Sequence, residues 1–180
     1  HDTSVRYGYA SYNDKFYFCN GVNSMVEYDG STNTNKTLTN VASTTFKTNV
    51  FAVFERKMYA VDYSNKLLLH RSRTDEVTTF DYTGGDVIEN SGTTRIAEGN
   101  SPITALEVND NMYIFSKNNI YNPNYSTVGA STVFTIDNIS RGAGAINNES
   151  TISIGDAVLF FDSNDKNISQ LGYQENFPNI

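Results

Sequence analysis

Apolar and polar residues alternate along most of this chain in short runs, and the runs fall into a repeating order. The clearest stretch is Ile103 to Tyr121, ITALEVNDNMYIFSKNNIY. It predicts a strand, a two-residue turn at Asn109-Asp110, a second strand, a polar turn at Lys117-Asn119 and a third strand. The same grammar occurs four times. Aligned on the second strand of each unit, Lys15-Phe16-Tyr17-Phe18, Lys57-Met58-Tyr59-Ala60, Asn111-Met112-Tyr113-Ile114 and Ala157-Val158-Leu159-Phe160 stand at offsets of 42, 54 and 46 residues. A polar pair precedes each: Asn13-Asp14, Glu55-Arg56, Asn109-Asp110 and Gly155-Asp156. Asn, Asp and Gly suit the positive-φ positions of a tight hairpin, and Glu55-Arg56 suits them less well.

The first strands of the units are predicted at Tyr9–Tyr12, Val50–Phe54, Thr104–Val108 and Thr151–Ile154. Third strands follow at Met25–Tyr28, Leu67–Arg71, Asn119–Tyr121 and Ile168–Leu171. A weaker fourth strand is predicted at Lys36–Thr39, Thr78–Tyr82 and Val133–Asp137. Gly84-Gly85 and Asn90–Gly92 mark a long irregular link, and Gly142–Ala145 a flexible joint where glycine allows positive φ or a close backbone approach. No long window shows helical apolar spacing. These observations predict an all-β chain. A period of 40 to 50 residues with three or four antiparallel strands per unit is the pattern of a β-propeller; an evenly spaced β-sandwich is the plainer alternative. The expected organisation is one propeller domain or partial propeller over residues 1–180, with approximate blades 9–48, 49–100, 101–141 and 142–180. Four units could close a small ring, and an arc of a larger propeller fits at least as well.

Composition narrows the function classes. The chain has 180 residues, is 38% hydrophobic and 18% charged, and contains 12 Tyr and 11 Phe, which favour half-buried pleated surfaces. A net charge of −7 with no basic stripe argues against a nucleic-acid-gripping module; Arg71 and Arg73 lie beside Asp75 and Glu76. Cys19 is the single cysteine, so there is no internal disulfide framework, and a buried or strand-edge thiol is expected. The longest purely apolar run, Ala157 to Phe161, is far short of a membrane span, and no signal peptide is visible. Beginning at His1 in what reads as mid-domain sequence, the chain is expected to be a piece of a longer one. The sequons at Asn35, Asn124, Asn138, Asn148 and Asn167 occur at the frequency such a composition gives by chance.

No catalytic constellation stands out. His1 and His70 are the only histidines; His70 sits behind Leu67-Leu68-Leu69 and is expected to be structural. Asp162 to Asn167 has the alternating oxygen donors of a calcium loop, but Lys166 fills a donor position and the glycine and final glutamate are missing, so a hairpin turn is expected. Tyr28-Asp29-Gly30-Ser31-Thr32 makes a good turn. Tyr17, Tyr59 and Tyr113 recur at one structural position and are expected to pack rather than to stack on sugars. The expectation is therefore no catalytic, cofactor-binding or metal site.

The run Thr79-Phe80-Asp81, then Leu106 to Tyr121, then Gly144-Ala145-Ile146 through Ile152–Asp156 and Ile168–Leu171 resembles the β-propeller segment of tailed-bacteriophage tail and neck proteins. In that family one blade ends in a TxFD element, the next carries an L.EFND.LYIFTKNSIY run, and a third a GA.N..SI…GD pattern. The likeness spans residues 50 to 172; it departs at Asp165-Lys166-Asn167, where a tighter Asp-Gly turn is usual, and at Leu67–Ser72. It implies a non-enzymatic virion structural protein: a nozzle, hub or DNA-stabilisation component, assembled in the host cytoplasm. Such a protein would contact other copies of itself and neighbouring tail or portal proteins in a ring around the DNA channel, with no sequence-specific nucleic-acid binding and no membrane. A carbohydrate- or receptor-binding propeller is the alternative expectation.

Overall fold

The structure, a computed structural model, describes residues 6–96, 101–128 and 131–172. It is all-β, with no α-helix among the described residues. The chain folds into successive antiparallel meanders. The first sheet is β1 (Gly8–Tyr12), β2 (Lys15–Cys19), β3 (Met25–Tyr28) and β4 (Asn33–Lys36). A small ladder of β5 (Leu38–Thr39) and β6 (Thr45–Phe46) follows. The second sheet is β7 (Phe51–Phe54), β8 (Lys57–Val61), β9 (Leu68–Arg71) and β10 (Gly92–Arg95). The third is β11 (Ile103–Val108), β12 (Met112–Ser116), β13 (Asn119–Val128) and β14 (Ser131–Arg141). A 3-10 turn at Asn148–Ser150 leads into the last sheet, β15 (Thr151–Ile154), β16 (Ala157–Phe161) and β17 (Ile168–Gly172).

The sheets stack face to face in chain order, because alternation along each second strand sends apolar side chains to both faces. On β8, Met58 and Ala60 join Tyr17, Cys19 and Met25 of the first sheet, while Tyr59 and Val61 join Met112 and Ile114 of the third. On β12 the other set, Tyr113 and Phe115, meets Val158 and Phe160 of the fourth. The three tyrosines that recur at one position are all buried, as the repeat predicts. Cys19 is buried with them. The first strands of successive sheets are neighbours in space: β1 lies against β7, β7 against β11 and β11 against β15.

Several predicted boundaries move. The fourth strand of the second sheet is Gly92–Arg95, not Thr78–Tyr82. Phe80 leaves the ladder to fill the core between the first two sheets, edge-on to Phe46 at 5.1 Å between ring centroids. Apolar burial there outweighs the strand propensity of its neighbours. Lys36–Thr39 splits: Asn33–Lys36 pairs with β3, and Leu38–Thr39 turns away to pair with β6. The turn after Val108 holds three residues, Asn109 to Asn111, since Val108 pairs with Met112. The third strand of the third sheet runs on from Tyr121 to Val128 in a long hairpin with β14. Pro123 is tolerated inside it because β12 has already stopped pairing, at Tyr121.

Glu55 and Arg56 adopt left-handed φ of 46° and 65°, as Asn13 and Asp14 do at 48° and 57°. Asn and Asp accept that region more readily than Glu. Glu55→Asn is therefore expected to stabilise the protein by about 0.5–1 kcal/mol, read as a higher urea midpoint. An unchanged or lower midpoint would show that this turn stores no strain.

Candidate functional site

The first strands converge on a cleft of about 720 Å³, into which Arg6, Tyr7 and Tyr9, Val50, Lys66, Ile103, Glu107, Glu149 and Ile152 project from separate parts of the chain. The two carboxylates among its described residues are already held. Glu107 accepts hydrogen bonds from Thr151 Oγ1 and Ser153 Oγ, each at 2.9 Å, and so ties β11 to β15. Glu149 pairs with the Arg6 guanidinium. Asn148 Oδ1 accepts the Leu106 N–H at 3.2 Å. With Arg6 and Lys66 facing Glu107 and Glu149, the lining is close to charge-balanced. Glu107 and Asn148 thus tie the third sheet to the turn and strand that open the fourth.

His70 is buried in the second sheet, with Nδ1 2.9 Å from Thr93 Oγ1, Nε2 3.4 Å from Asp62 Oδ2, and its ring against Phe46. This Asp-His-Thr chain has the residue types of a nucleophilic triad, but the cleft includes none of the three. Burial pushes the His70 imidazole below its ordinary range, against the pull of Asp62. Burial raises Asp62, and the hydrogen bonds from Ser64, His70 and Asn65 outweigh it, leaving the carboxyl below its usual value. The chain ties a turn to a sheet edge.

Asp62 belongs to a pattern that the strand reading missed. At the fifth position after the start of each aligned second strand stand Asn20, Asp62, Ser116 and Asp162, all buried. Asn20 Oδ1 accepts the N–H of Val22 and Asn23 at 3.0 and 2.8 Å. Asp62 Oδ1 accepts those of Ser64 and Asn65 at 2.8 and 3.2 Å. Ser116 Oγ accepts the Asn119 N–H at 3.1 Å, and Asp162 Oδ1 that of Asn164 at 2.8 Å. Each side chain satisfies the backbone of the turn into the third strand. The Asp162–Asn167 loop is thus a capped hairpin, with the Lys166 ammonium turned onto the Ser163 carbonyl. Asp29 does the same in its exposed turn, accepting from Ser31 and Thr32, whose backbone N–H groups hold its carboxyl well below the usual range. Among the described residues no three His, Cys, Asp or Glu side chains form a metal-binding group.

Lys57, 1% exposed, is the least ordinary charge. Its Nζ donates to the Ser72 and Asn90 carbonyls at 3.1 and 3.4 Å. Burial, then the Arg71 cation, pushes the ammonium down to about 8. The unfolded chain keeps that proton to about pH 10.4. Between those values the unfolded state binds more protons, so stability rises with pH, by at most ~1.4 kcal/mol per unit. Urea titrations at increasing pH across this window are expected to show the rise, and Lys57→Met to abolish it; a flat wild-type profile would mean that Lys57 is solvated.

Arg71 is buried, has no carboxylate partner among the described residues and lies under the β13–β14 hairpin, its Cζ 4.3 Å from the Phe134 ring centroid and 5.7 Å from that of Tyr125. Opposite it, a Cβ on Gly92 would come within 2.7 Å of the guanidinium. The cation clamps the hairpin onto the second sheet.

Two large surfaces remain. The outer face of the first sheet carries Tyr9, Phe16, Phe18 and Tyr28, with Tyr9 stacked on Phe16 at 6.1 Å. The outer face of the fourth carries Ile152, Ile154, Leu159, Phe161 and Ile168. Among the described residues no helix is long and apolar enough to cross a membrane. Comparison with protein-family models finds no match, and comparison with curated proteins finds none.

Proposed function

We propose that the four sheets are successive blades of a β-propeller, and that the chain is a non-enzymatic structural module of a tailed-phage tail or neck, holding neighbouring subunits around the DNA channel. The observation that carries the reading is the regular stack of sheets with apolar side chains on the outer faces of the first and fourth, beside a cleft whose carboxylates Glu107 and Glu149 are already held. Such a surface suits assembly more than turnover. First strands gathered side by side, with later strands in meander order outside them, are what blades around an axis require. The net charge of −7 works against retention of passing DNA, and the near-balanced cleft adds no basic track. Electron microscopy of native particles with gold-labelled antibody to the chain tests the proposal. Label at the tail or neck is expected; particles without label, and the chain recovered only as free protein, would overturn it.

A carbohydrate- or receptor-binding propeller is the second reading. It draws on a shallow cavity of about 430 Å³ where Tyr12, Phe16 and Tyr28 stand near Asp14. Aromatic rings beside a carboxylate can stack on and hydrogen-bond a sugar, and a glycan-binding screen separates the two readings.

A further inference from the structure

We propose that the protein holds a tetrahedral oxyanion of the phosphate kind between the second sheet and the β13–β14 hairpin, on the ammonium of Lys57 and the guanidinium of Arg71, a role beyond the structural-module reading and independent of it.

Two cations share one buried face. Lys57 and Tyr59 stand two apart on β8, so their side chains leave the same side of the sheet, and Tyr59 pairs with Arg71 on β9. Tyr59 and Arg71 lie under Tyr125 and Phe134 of the hairpin. Both cations are buried, Arg71 with 6% of its surface exposed. Neither meets a carboxylate among the described residues: the Lys57 ammonium donates to two main-chain carbonyls, and the Arg71 guanidinium lies on aromatic rings. A buried cation is ordinarily paired with an anion or neutralised. Arg71 cannot lose its proton. Burial and then Arg71 push Lys57 down, while Asp86, Glu89 and Asp75 pull it up, each more weakly than Arg71. Two like charges with no counter-charge between them behave in this way.

Unmet hydrogen-bonding groups gather at the same place. Arg71 Nε is buried with no partner, and so is Asn90 Oδ1, on the residue whose main-chain carbonyl Lys57 holds. Asn90 is two residues from Gly92, which stands across the ladder from Arg71 and leaves room for its guanidinium. Of the three N–H groups of the Lys57 ammonium, two are used on carbonyls. The site therefore presents charged donors and one neutral acceptor. A hydrogen phosphate answers all of them: its oxygens accept from Arg71 and Lys57, and its P–O–H donates to Asn90 Oδ1. A carboxylate has no such proton to give, and a metal cation would meet two positive charges. A single water could join Nε to Oδ1 but would leave both charges uncompensated. The site is closed in this structure. Because β12 stops pairing with β13 at Tyr121, the hairpin beyond that point can lift from the second sheet without breaking a ladder to β12, and this is the way in.

The test is calorimetric titration of the whole chain with inorganic phosphate at pH 7, sodium chloride holding the ionic strength. One phosphate per chain is expected. Lys57→Met and Arg71→Gln are each expected to bind about tenfold more weakly or worse, with circular dichroism checking that both keep the β fold. Sulfate carries no proton at this pH and is expected to bind several-fold more weakly than phosphate. Hydrogen exchange gives a second readout that survives a poorly folded variant: in the parent, phosphate should slow exchange of the hairpin amides from Asn122 to Val128. No heat and no added protection at millimolar phosphate would overturn the proposal. So would binding that both variants keep, which would mean an adventitious ion only. Sulfate bound as tightly as phosphate would overturn the assignment of the proton to Asn90.

Discussion

Tyr59→Ala is expected to lower the unfolding free energy by about 3–5 kcal/mol, the range for deleting a buried aromatic ring whose neighbours cannot collapse into the space. Tyr59 is 0% exposed, at the centre of the core between the second and third sheets. Its ring lies along Phe134 at 6.3 Å between centroids, and its hydroxyl is 3.3 Å from that of Tyr125. Both partners sit on the β13–β14 hairpin past Tyr121, where β12 no longer pairs with it. That hairpin therefore depends on the second sheet for support, through Tyr59 and through Arg71 beneath Phe134. Losing the ring should free the hairpin as well as weaken the core. Tyr59→Phe keeps the ring and removes only the hydroxyl contact, for about 1 kcal/mol. Urea denaturation measures both losses, and limited proteolysis reports the hairpin separately. If Tyr59→Ala denatures with the parent and the hairpin stays protected, the interface between these sheets is held elsewhere.

What could be read from the sequence was what alternation encodes. Met58-Tyr59-Ala60 and Met112-Tyr113-Ile114 show a period of two with bulky residues on both faces, which requires a sheet covered on both sides. Asn13-Asp14 and Gly155-Asp156 announce their hairpins through their φ preferences. The fourth strand of the second sheet was hidden because Gly92-Thr-Thr-Arg95 has no apolar alternation; it pairs with β9, and glycine at 92 leaves the Arg71 guanidinium room beside the ladder. Thr78–Tyr82 misled because Phe80 is apolar for the core, and nothing local separates a plug from a strand. The turn caps Asn20, Asp62, Ser116 and Asp162 were legible at a fixed offset, but three residue types do one job there and mask the repeat. The cleft had no local signature. Arg6, Lys66, Glu107 and Glu149 meet only after four sheets have stacked.

Gly144→Ala is expected to loosen the last sheet from the rest of the stack. A Cβ on Gly144 would be driven into the Ser116 carbonyl oxygen and would lie 2.7 Å from the Lys117 carbonyl carbon and oxygen, so backbone must move. Over-packing of this kind usually costs about 1–3 kcal/mol, and the upper end applies where the obstacle is main chain that cannot change rotamer. The joint also carries the bonds that fasten the fourth sheet. Ala145 N–H donates to Ser116 O at 3.1 Å, Ser163 N–H to Gly144 O at 2.9 Å and Thr104 Oγ1 to Ala145 O at 2.7 Å. Displacing Gly144 strains all three at once. Gly142, two residues earlier, serves differently: its φ is +88° with open space around it, so Gly142→Ala meets backbone strain but no collision. The two substitutions should therefore separate. Gly142→Ala should cost about 1 kcal/mol, spread over the joint, whereas Gly144→Ala should strip amide protection from Thr151 to Gly172 while the first two sheets keep theirs. Hydrogen exchange on both variants decides it. Equal protection of the last sheet in Gly144→Ala and the parent would mean that the fourth sheet is held by the Tyr113, Phe115, Val158 and Phe160 core alone, and that the close approach at Gly144 is incidental.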